Sequence, residues 1–470
     1  MSTPALFSRA RTPVAGLARS TRARLPEPSA ARLRAAVTVL FVLDGAVFGS
    51  WAARVPGVAA QVGAGHTALG VALLCLSLGA LVCMRLTGRW CARFGAGPVS
   101  AAAGVAVCLS ALLPGLAGSV PVLCAALLVF GAATGMVNVA ANALGVQVEA
   151  RVGRPLLSGL HAGFSLGGLA GALVGGAAAA VLGVAPHLAL VAAAGLAATA
   201  WALPALLGAP RAPLPAPGPA PDAAPADGPD AAPGDGPAAR RRTAALVVLG
   251  AVAGCTAFGE GALTDWGALL LREELGAPAT LGALGYAGFA SAMAGGRLAG
   301  GWLLLTLGER RLLAGGALLA AVGATVAVTT PVLWVALAGF VVVGLGLSNV
   351  FPLAIARAGL IGGAPGIALA TTVGYTGLLG GPPLIGLVAE HAGLPAALGS
   401  VALLALAAGF LVLTVVGDRV LVTAPAGAVT RRVTRVGERL QPVVSGFGHG
   451  TGVYVRELTT LLPSGGDPSR

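Results

Sequence analysis

The segment DGAVFGSW at residues 44–51 has a counterpart in EGALTDW at residues 260–266, which begins 216 residues later. Each segment places an acidic residue before a tryptophan inside a long apolar run. Three more pairs follow in the same order: RLTGRW (85–90) with RLAGGW (297–302), GMVNV (135–139) with GLSNV (346–350), and HAGFS (161–165) with TVGYT (372–376). Four ordered pairs, with an offset that drifts only from 216 to 211 residues, indicate an internal duplication.

The composition around these pairs is that of an integral membrane protein. Of 470 residues, 56% are apolar and only 10% are charged, whereas soluble proteins average about 25% charged residues. A helix that crosses a bilayer needs about 20 mostly apolar residues. The chain holds twelve such runs, which we predict as transmembrane helices at 35–54, 67–86, 98–118, 121–144, 157–181, 186–207, 243–264, 280–300, 312–330, 332–356, 367–389 and 396–416.

The arginines predict how these helices are oriented. The chain has no lysine and 29 arginines, and 27 of them fall in the two tails and the even-numbered loops. Only Arg54 and Arg272 fall on the opposite side; Arg85 and Arg297, at the inner ends of spans 2 and 8, are counted with the loops that follow. By the positive-inside rule, both termini and the central loop are expected in the cytoplasm, with the chain in the inner (plasma) membrane. Because this placement accounts for the net charge of +12, nucleic acid is not predicted as a partner.

The same pattern predicts the domain organisation. An Arg-rich cytoplasmic tail (1–34) precedes a bundle of six helices (35–207), and a second bundle of six (243–416) precedes a cytoplasmic tail (417–470). The segment 208–242 between the bundles is rich in Pro, Ala, Gly and Asp, which is typical of a disordered linker.

Two six-helix halves of the same topology resemble the major facilitator superfamily. The resemblance implies an all-α membrane protein whose twelve transmembrane helices form two pseudo-symmetric bundles. It also implies a monomer that binds a small-molecule substrate between the bundles, near the membrane midplane. Within the superfamily, HAGFSLGG (161–168) and NVAANALGV (138–146) look like the fucose-permease-like branch of bacterial inner-membrane permeases.

A loop motif of the family is present in degraded form. The stretch GRWCARFGAG (88–97) matches the family's signature between helices 2 and 3 at Gly88, Arg93 and Gly95. Ala92 stands where the family has an aspartate, and Gly97 replaces a basic residue. The resemblance therefore assigns a conformational role to this loop, but the contacts made by the missing aspartate are in doubt.

Acidic residues inside the spans are the first candidates for transport. An ionised carboxylate at the bilayer centre costs about 2.5–3.5 kcal/mol on insertion scales. Asp44 must therefore face a wet cavity, find a partner or hold a proton, which makes it a candidate proton carrier. The alternative is a structural acid that caps or pairs with a neighbour. Glu260 repeats Asp44 in the second half, and Asp265 lies about 140° from it around the helix, where Arg272 or water is an alternative partner.

Other polar side chains are candidates with a structural alternative each. Arg54 either binds solute from outside or extends to the outer surface. Asn138 and Asn142 share one face of span 4, and Asn349 repeats Asn138; such amides either join helices or bind solute. His161 suits a proton relay, or is a hydrogen-bonded structural residue.

Three aromatic residues complete the set of candidates. Trp51 and Trp266 each follow an acid, so they are placed to stack on a sugar ring or an apolar solute, although tryptophans near span ends also form interfacial belts. Tyr375 on span 11 is a further candidate.

These observations favour a secondary active transporter over other classes. The chain has no phosphate-binding loop and no lysine to complete one, so ATP-driven transport by this chain is excluded. No metal site, cofactor or enzymatic nucleophile is predicted. The preferred hypothesis is alternating-access movement of a sugar-like or other polar metabolite, coupled to a proton. Efflux of an apolar metabolite or drug is the alternative, and a non-transporting membrane sensor is a third possibility.

Overall fold

The computed structural model describes residues 28–153, 156–210 and 237–414, and this part of the chain is helical almost throughout. The described residues up to Val412 belong to one compact unit, and the described residues Leu413 and Thr414 fall in a second. The helices in the described part are α1 (Ala30–Val62), α2 (His66–Phe94), α3 (Ala96–Leu116), α4 (Val120–Val152), α5 (Leu157–Ala178), α6 (Val184–Leu207), α7 (Pro237–Glu273), α8 (Ala279–Leu307), α9 (Glu309–Thr329), α10 (Leu333–Leu347) and α11 (Val350–Thr414).

The helices follow the predicted spans. Each of the first nine spans lies on its own helix, and several of these helices extend seven to nine residues beyond the predicted end of the span. Helix α11 carries the end of span 10 together with spans 11 and 12, and its backbone leaves helical geometry at Gly363 (φ 60°) and Gly393 (φ 82°). These two glycines fall between the predicted spans, where a positive φ favours a residue without a side chain. Ten segments of the described chain are long and apolar enough to cross a membrane.

Backbones approach closely where small residues face each other. A Cβ atom on Gly45 of α1 would collide with the carbonyl oxygen of Phe164 on α5. A Cβ atom on Gly131 of α4 would collide with the carbonyl oxygen of Leu76 on α2. Since lipid tails are as apolar as the helix surfaces, such close van der Waals contact is what holds membrane helices together. These glycines therefore have a packing role.

Polar contacts join the two halves of the chain at the start of α2. The Nε2 atom of His66 lies 3.0 Å from Oε2 of Glu273, at the end of α7. The backbone N–H of Thr67 donates to Oε2 of Glu390 at 3.2 Å, and the Thr67 hydroxyl donates to the Gly386 carbonyl at 3.4 Å. Gly65 precedes α2 and provides no side-chain cap. A glutamate from the second half therefore caps the first turn of a helix in the first half.

Parts of three predicted segments lie outside the described residues. They are most of the N-terminal tail (1–34), the central part of the linker (208–242) and the C-terminal tail (417–470).

Candidate functional site

A small cavity of about 60 Å³ lies among α1, α4 and α5. This volume has room for a few water molecules and is well below the roughly 300–1,000 Å³ of small-molecule sites, so the cavity must widen before it takes a solute. Its walls combine apolar side chains with a carboxylate, two amides and an imidazole, so it offers hydrogen bonds at a few fixed points. The lining residues are Phe41, Asp44, Val137, Asn138, Ala141, Asn142, His161 and Phe164.

Asp44 is the buried acidic residue of this cavity. Only 8% of the residue is exposed, and within the described part of the chain its Oδ1 atom is buried without a hydrogen-bond partner. A buried carboxylate oxygen is costly unless it is hydrogen-bonded or protonated. Asp44 thus has an unsatisfied acceptor at a wall of a cavity, which is the arrangement expected of a group that meets a solute or a proton.

Three other predicted residues line the same cavity. The Nδ2 atom of Asn142 donates to the backbone carbonyl of Asn138 at 2.7 Å, one helical turn earlier. The side chain of Asn138 is exposed. His161 meets Phe41 edge-on, with ring centroids 5.2 Å apart, which fixes the orientation of its imidazole. The structure therefore brings these residues together with Asp44.

The second half contributes an ion pair. The Nη2 atom of Arg297 on α8 lies 3.5 Å from Oε2 of Glu260 on α7, and the two side chains are 45% and 41% exposed. The Nε atom of Arg297 also donates to the Ser348 carbonyl at 3.3 Å. An electrostatic interaction links Arg297 to His161 of the first half. Counting Arg297 with a cytoplasmic loop missed its pairing with Glu260, because a charge count does not say which way a side chain near the end of a predicted span points.

One partner of Arg297, the Ser348 carbonyl, lies at the junction between α10 and α11. Ser348 and Asn349 lie between the end of α10 at Leu347 and the start of α11 at Val350. Two glycines of α8 make room for the junction, since a Cβ on Gly296 would collide with Ser348 and a Cβ on Gly300 with Asn349. The Asn349 amide donates to the Gly296 carbonyl at 2.8 Å. Asn349 thus joins two helices, which is the structural alternative considered for it.

Tyr286 of α8 connects the two halves and was not identified from the sequence. Its hydroxyl lies against Gly168 of α5. Electrostatic interactions link it to Asp44, Glu260 and Asp265. The sequence carries no signal for this role, since a single tyrosine in an Ala/Gly-rich span has no distinguishing pattern.

Arg54 lies away from the cavity-lining residues. It is 4% exposed, and its Nε atom donates to Nδ1 of His187 on α6 at 3.1 Å. Its Nη2 atom donates to the carbonyl of Leu182 at 3.1 Å. The guanidinium is therefore held within the first half of the chain, while solute binding by Arg54 stays a prediction.

The predicted aromatic candidates lie in different surroundings. Trp51 is 1% exposed and packs edge-on against Phe130 of α4, with centroids 6.0 Å apart. Trp266 is fully buried, with its ring 6.3 Å from His66. Neither is among the residues that line the cavity. Tyr375 is half-buried on α11.

The loop motif forms the junction between α2 and α3. Helix α2 ends at Phe94, and Gly95 has a φ of 93°, which an L side chain rarely adopts. Arg93 places its guanidinium 5.3 Å from the ring of Phe94. Gly88 lies inside α2, where a Cβ would meet open space. The geometry thus explains Gly95 by backbone conformation, whereas the conformational role of the motif stays a prediction.

Solved structures of membrane transporters share this fold. The chain is similar to a mutant of the nucleoside transporter NupG with a TM-score of 0.65 and 12% identity, covering 82% of this chain and all of that one. It is similar to a bacterial homologue of the human lysosomal transporter Spinster, solved inward-facing and unoccupied, with a TM-score of 0.65 and 16% identity over 85% and 99% of the two chains. A D-xylose–proton symporter gives 0.62 and 15% over 83% and 98%.

Curated relatives cover most of the chain. An uncharacterised MFS-type transporter of Yersinia pestis is 35% identical over 370 residues, which are 78% of this chain and 91% of the relative. The membrane protein MosC of Rhizobium meliloti is 28% identical over 77% and 85% of the two chains. The family model described as Major Facilitator Superfamily matches residues 36–363. With this match, the relatives and the fold in agreement, the chain belongs to the Major Facilitator Superfamily of membrane transporters.

Proposed function

We propose that this protein is a secondary active transporter that moves a small polar solute by alternating access and couples the movement to a proton on Asp44. The observation that carries the proposal is the buried Oδ1 atom of Asp44, which lines the cavity and has no hydrogen-bond partner within the described part of the chain. A solute hydroxyl satisfies this oxygen by donating a hydrogen bond, and a proton on the carboxyl group removes the charge of Asp44, so both the solute and the proton act on the same group. The widening that a solute requires is supplied by the movement of the halves in the transport cycle.

The remaining groups of the cavity favour a polar solute. Asn138 and Asn142 offer amide groups, and His161 offers a ring nitrogen. Phe41 and Phe164 add apolar faces on which a carbon skeleton packs. Few directional polar groups on an apolar wall are typical of sites that bind a small molecule in one orientation.

Two steps test the proposal on the purified full-length chain. First, sugars, polyols, hydroxy acids, amino acids and nucleosides are screened for solutes that raise the thermal unfolding midpoint. Second, each hit is offered to proteoliposomes with an imposed proton gradient. We expect uptake that a protonophore abolishes.

Asp44→Asn is the decisive variant because it keeps the shape of the side chain and removes the titratable group. We expect it to lose gradient-driven uptake and to retain solute exchange, since exchange needs no net proton movement. Glu274→Gln, which changes an exposed carboxylate, is the matched control and is expected to behave like the wild type. Gradient-driven uptake by Asp44→Asn at the wild-type rate would remove Asp44 from coupling.

We further propose that the chain resides in the inner membrane as a monomer with both termini in the cytoplasm. The placement of 27 of the 29 arginines on one predicted side supports the orientation, and the monomer is what the resemblance to the superfamily implies. Reporter fusions after residue 64 and after residue 470 test it, one reporter active only outside the cytoplasm and one active only inside. Activity of the outside reporter at residue 470 would contradict the orientation.

A further inference from the structure

We propose that Arg297 binds the carboxylate of a small organic acid whose other end carries hydroxyl or ammonium groups, in competition with Glu260. The inference rests on the proposed function, because it names the class of solute that the site takes. It adds Arg297 and Glu260 of the second half to the cavity of the first half.

The first argument is that Arg297 is held loosely. Its two hydrogen bonds, 3.5 Å to Glu260 and 3.3 Å to the Ser348 carbonyl, are longer than the 2.7–2.9 Å typical of charge-assisted bonds. The bond to Glu260 uses the Nη2 atom and the bond to Ser348 uses the Nε atom, so the Nη1 donors take part in neither contact. Nearly half of the side chain is exposed. A guanidinium in this state has donors to offer a ligand.

The second argument is position. Arg297 interacts electrostatically with His161, which lines the cavity from the other half. Glu260 interacts with Tyr286, and Tyr286 interacts with Asp44. The ion pair therefore belongs to the same electrostatic cluster as the cavity carboxylate. A charged residue within a transmembrane span is normally functional or paired, and the pairing of Arg297 is weak.

The third argument selects the anion. The two parallel N–H donors of arginine fit the geometry of carboxylates and of phosphates equally well. Three carboxylates, those of Asp44, Glu260 and Asp265, lie within electrostatic reach of Tyr286, however, and Glu260 is itself paired with Arg297. A phosphate carries roughly −1.5 to −2 charges at neutral pH, so it is repelled more strongly there than a monoanion. The charge balance thus favours a monocarboxylate.

The fourth argument concerns the other end of the solute. The free oxygen of Asp44 accepts hydrogen bonds, and the amide oxygens of Asn138 and Asn142 do the same. These acceptors require donors, which hydroxyl and ammonium groups supply. A hydroxy acid or an amino acid has an acceptor at one end for Arg297 and donors at the other for Asp44.

The test measures binding to the purified full-length protein by calorimetry in three arms: neutral polyols, monocarboxylates with hydroxyl or amino groups, and the corresponding phosphates. Arg297→Gln is compared with Arg85→Gln, because Arg85 occupies the duplicated position in α2 and is exposed. We expect monocarboxylates to bind to the wild type. Arg297→Gln should weaken that binding roughly tenfold or more, which is the effect of losing a charge-assisted hydrogen bond. Arg85→Gln should leave the binding unchanged.

Two further variants separate recognition from folding. Arg297→Gln leaves Glu260 without its partner, so the double variant Glu260→Gln/Arg297→Gln provides a neutral replacement for the pair. It should fold and still fail to bind monocarboxylates. Glu260→Gln alone removes the competitor, and we expect it to bind monocarboxylates more tightly than the wild type.

The outcomes distinguish this inference from the proposed function. Binding and proton-driven uptake of neutral polyols that do not depend on Arg297 would overturn the inference and leave the proposed function standing. Preferential binding of phosphates would overturn the choice of anion. Monocarboxylate binding that depends on Arg297, without any flux in proteoliposomes, would support the inference and contradict transport.

Discussion

The cap that Glu390 places on α2 leads to a prediction about the balance between the open and closed states. The carboxylate of Glu390 accepts the backbone N–H of Thr67 across the two halves of the chain. In an alternating-access cycle the halves separate at this end, so the bond exists only while this end is closed. Glu390→Ala is therefore expected to shift the conformational equilibrium towards the state in which this end is open.

The size of the shift follows from helix capping. Loss of an N-cap hydrogen bond costs about 1 kcal/mol in proteins. A free-energy change of this size alters an equilibrium constant roughly fivefold. The bond from the Thr67 hydroxyl to the Gly386 carbonyl is still available in the variant, so this end is expected to stay closed part of the time.

Spin-label distances measure this shift directly. Labels are attached at Gly118 and Pro331, two exposed positions in the α3–α4 and α9–α10 connections, after replacement of the six native cysteines. In Glu390→Ala, the ratio of the long-distance population to the short-distance population should rise roughly fivefold. Glu274→Ala, an exposed glutamate of the α7–α8 connection, is the matched control. Identical distance distributions in the wild type and in Glu390→Ala would refute the reasoning.

Two further predictions concern structural contacts. Arg54→Met should lower the free energy of unfolding by about 1–3 kcal/mol, because it leaves the buried imidazole of His187 without its bond, and should leave solute affinity unchanged; a tenfold loss of affinity in calorimetry would make Arg54 a binding residue. Gly300→Ala should lower the thermal unfolding midpoint by displacing Asn349, whereas Gly301→Ala, which adds a methyl group into open space, should not; equal midpoints would show that α8 adjusts without cost.

The comparison between sequence and structure is clearest for Asp44 and Arg297. An acid in the middle of an apolar run is recognisable in the sequence, because burying its charge in the membrane is costly whatever residues flank it along the chain. Arg297 lies near the inner end of its predicted span, where the same sequence fits a loop residue equally well. Only the tertiary structure shows that it faces Glu260 and His161.

Contacts between residues far apart in the sequence were not predictable either, because the sequence does not show which distant residues meet in the fold. His187 is 133 residues from Arg54, and Glu390 is 323 residues from Thr67. Duplication predicted that Trp51 and Trp266 have equivalent positions, but it did not predict that both are buried outside the cavity lining. A repeat in the sequence fixes which residues correspond, and it does not fix what they touch.

The sequence by itself determined that this is a membrane protein, where most of its helices lie, that its halves are duplicated and that acids such as Asp44 lie inside apolar runs. These properties follow from hydropathy over about 20 residues and from local charge, which are local quantities. The tertiary structure alone decided which face of each helix lines the cavity and which polar groups meet across the halves. A helix that is apolar on every side has no preferred face in its own sequence, so its rotation is set by the neighbours against which it packs.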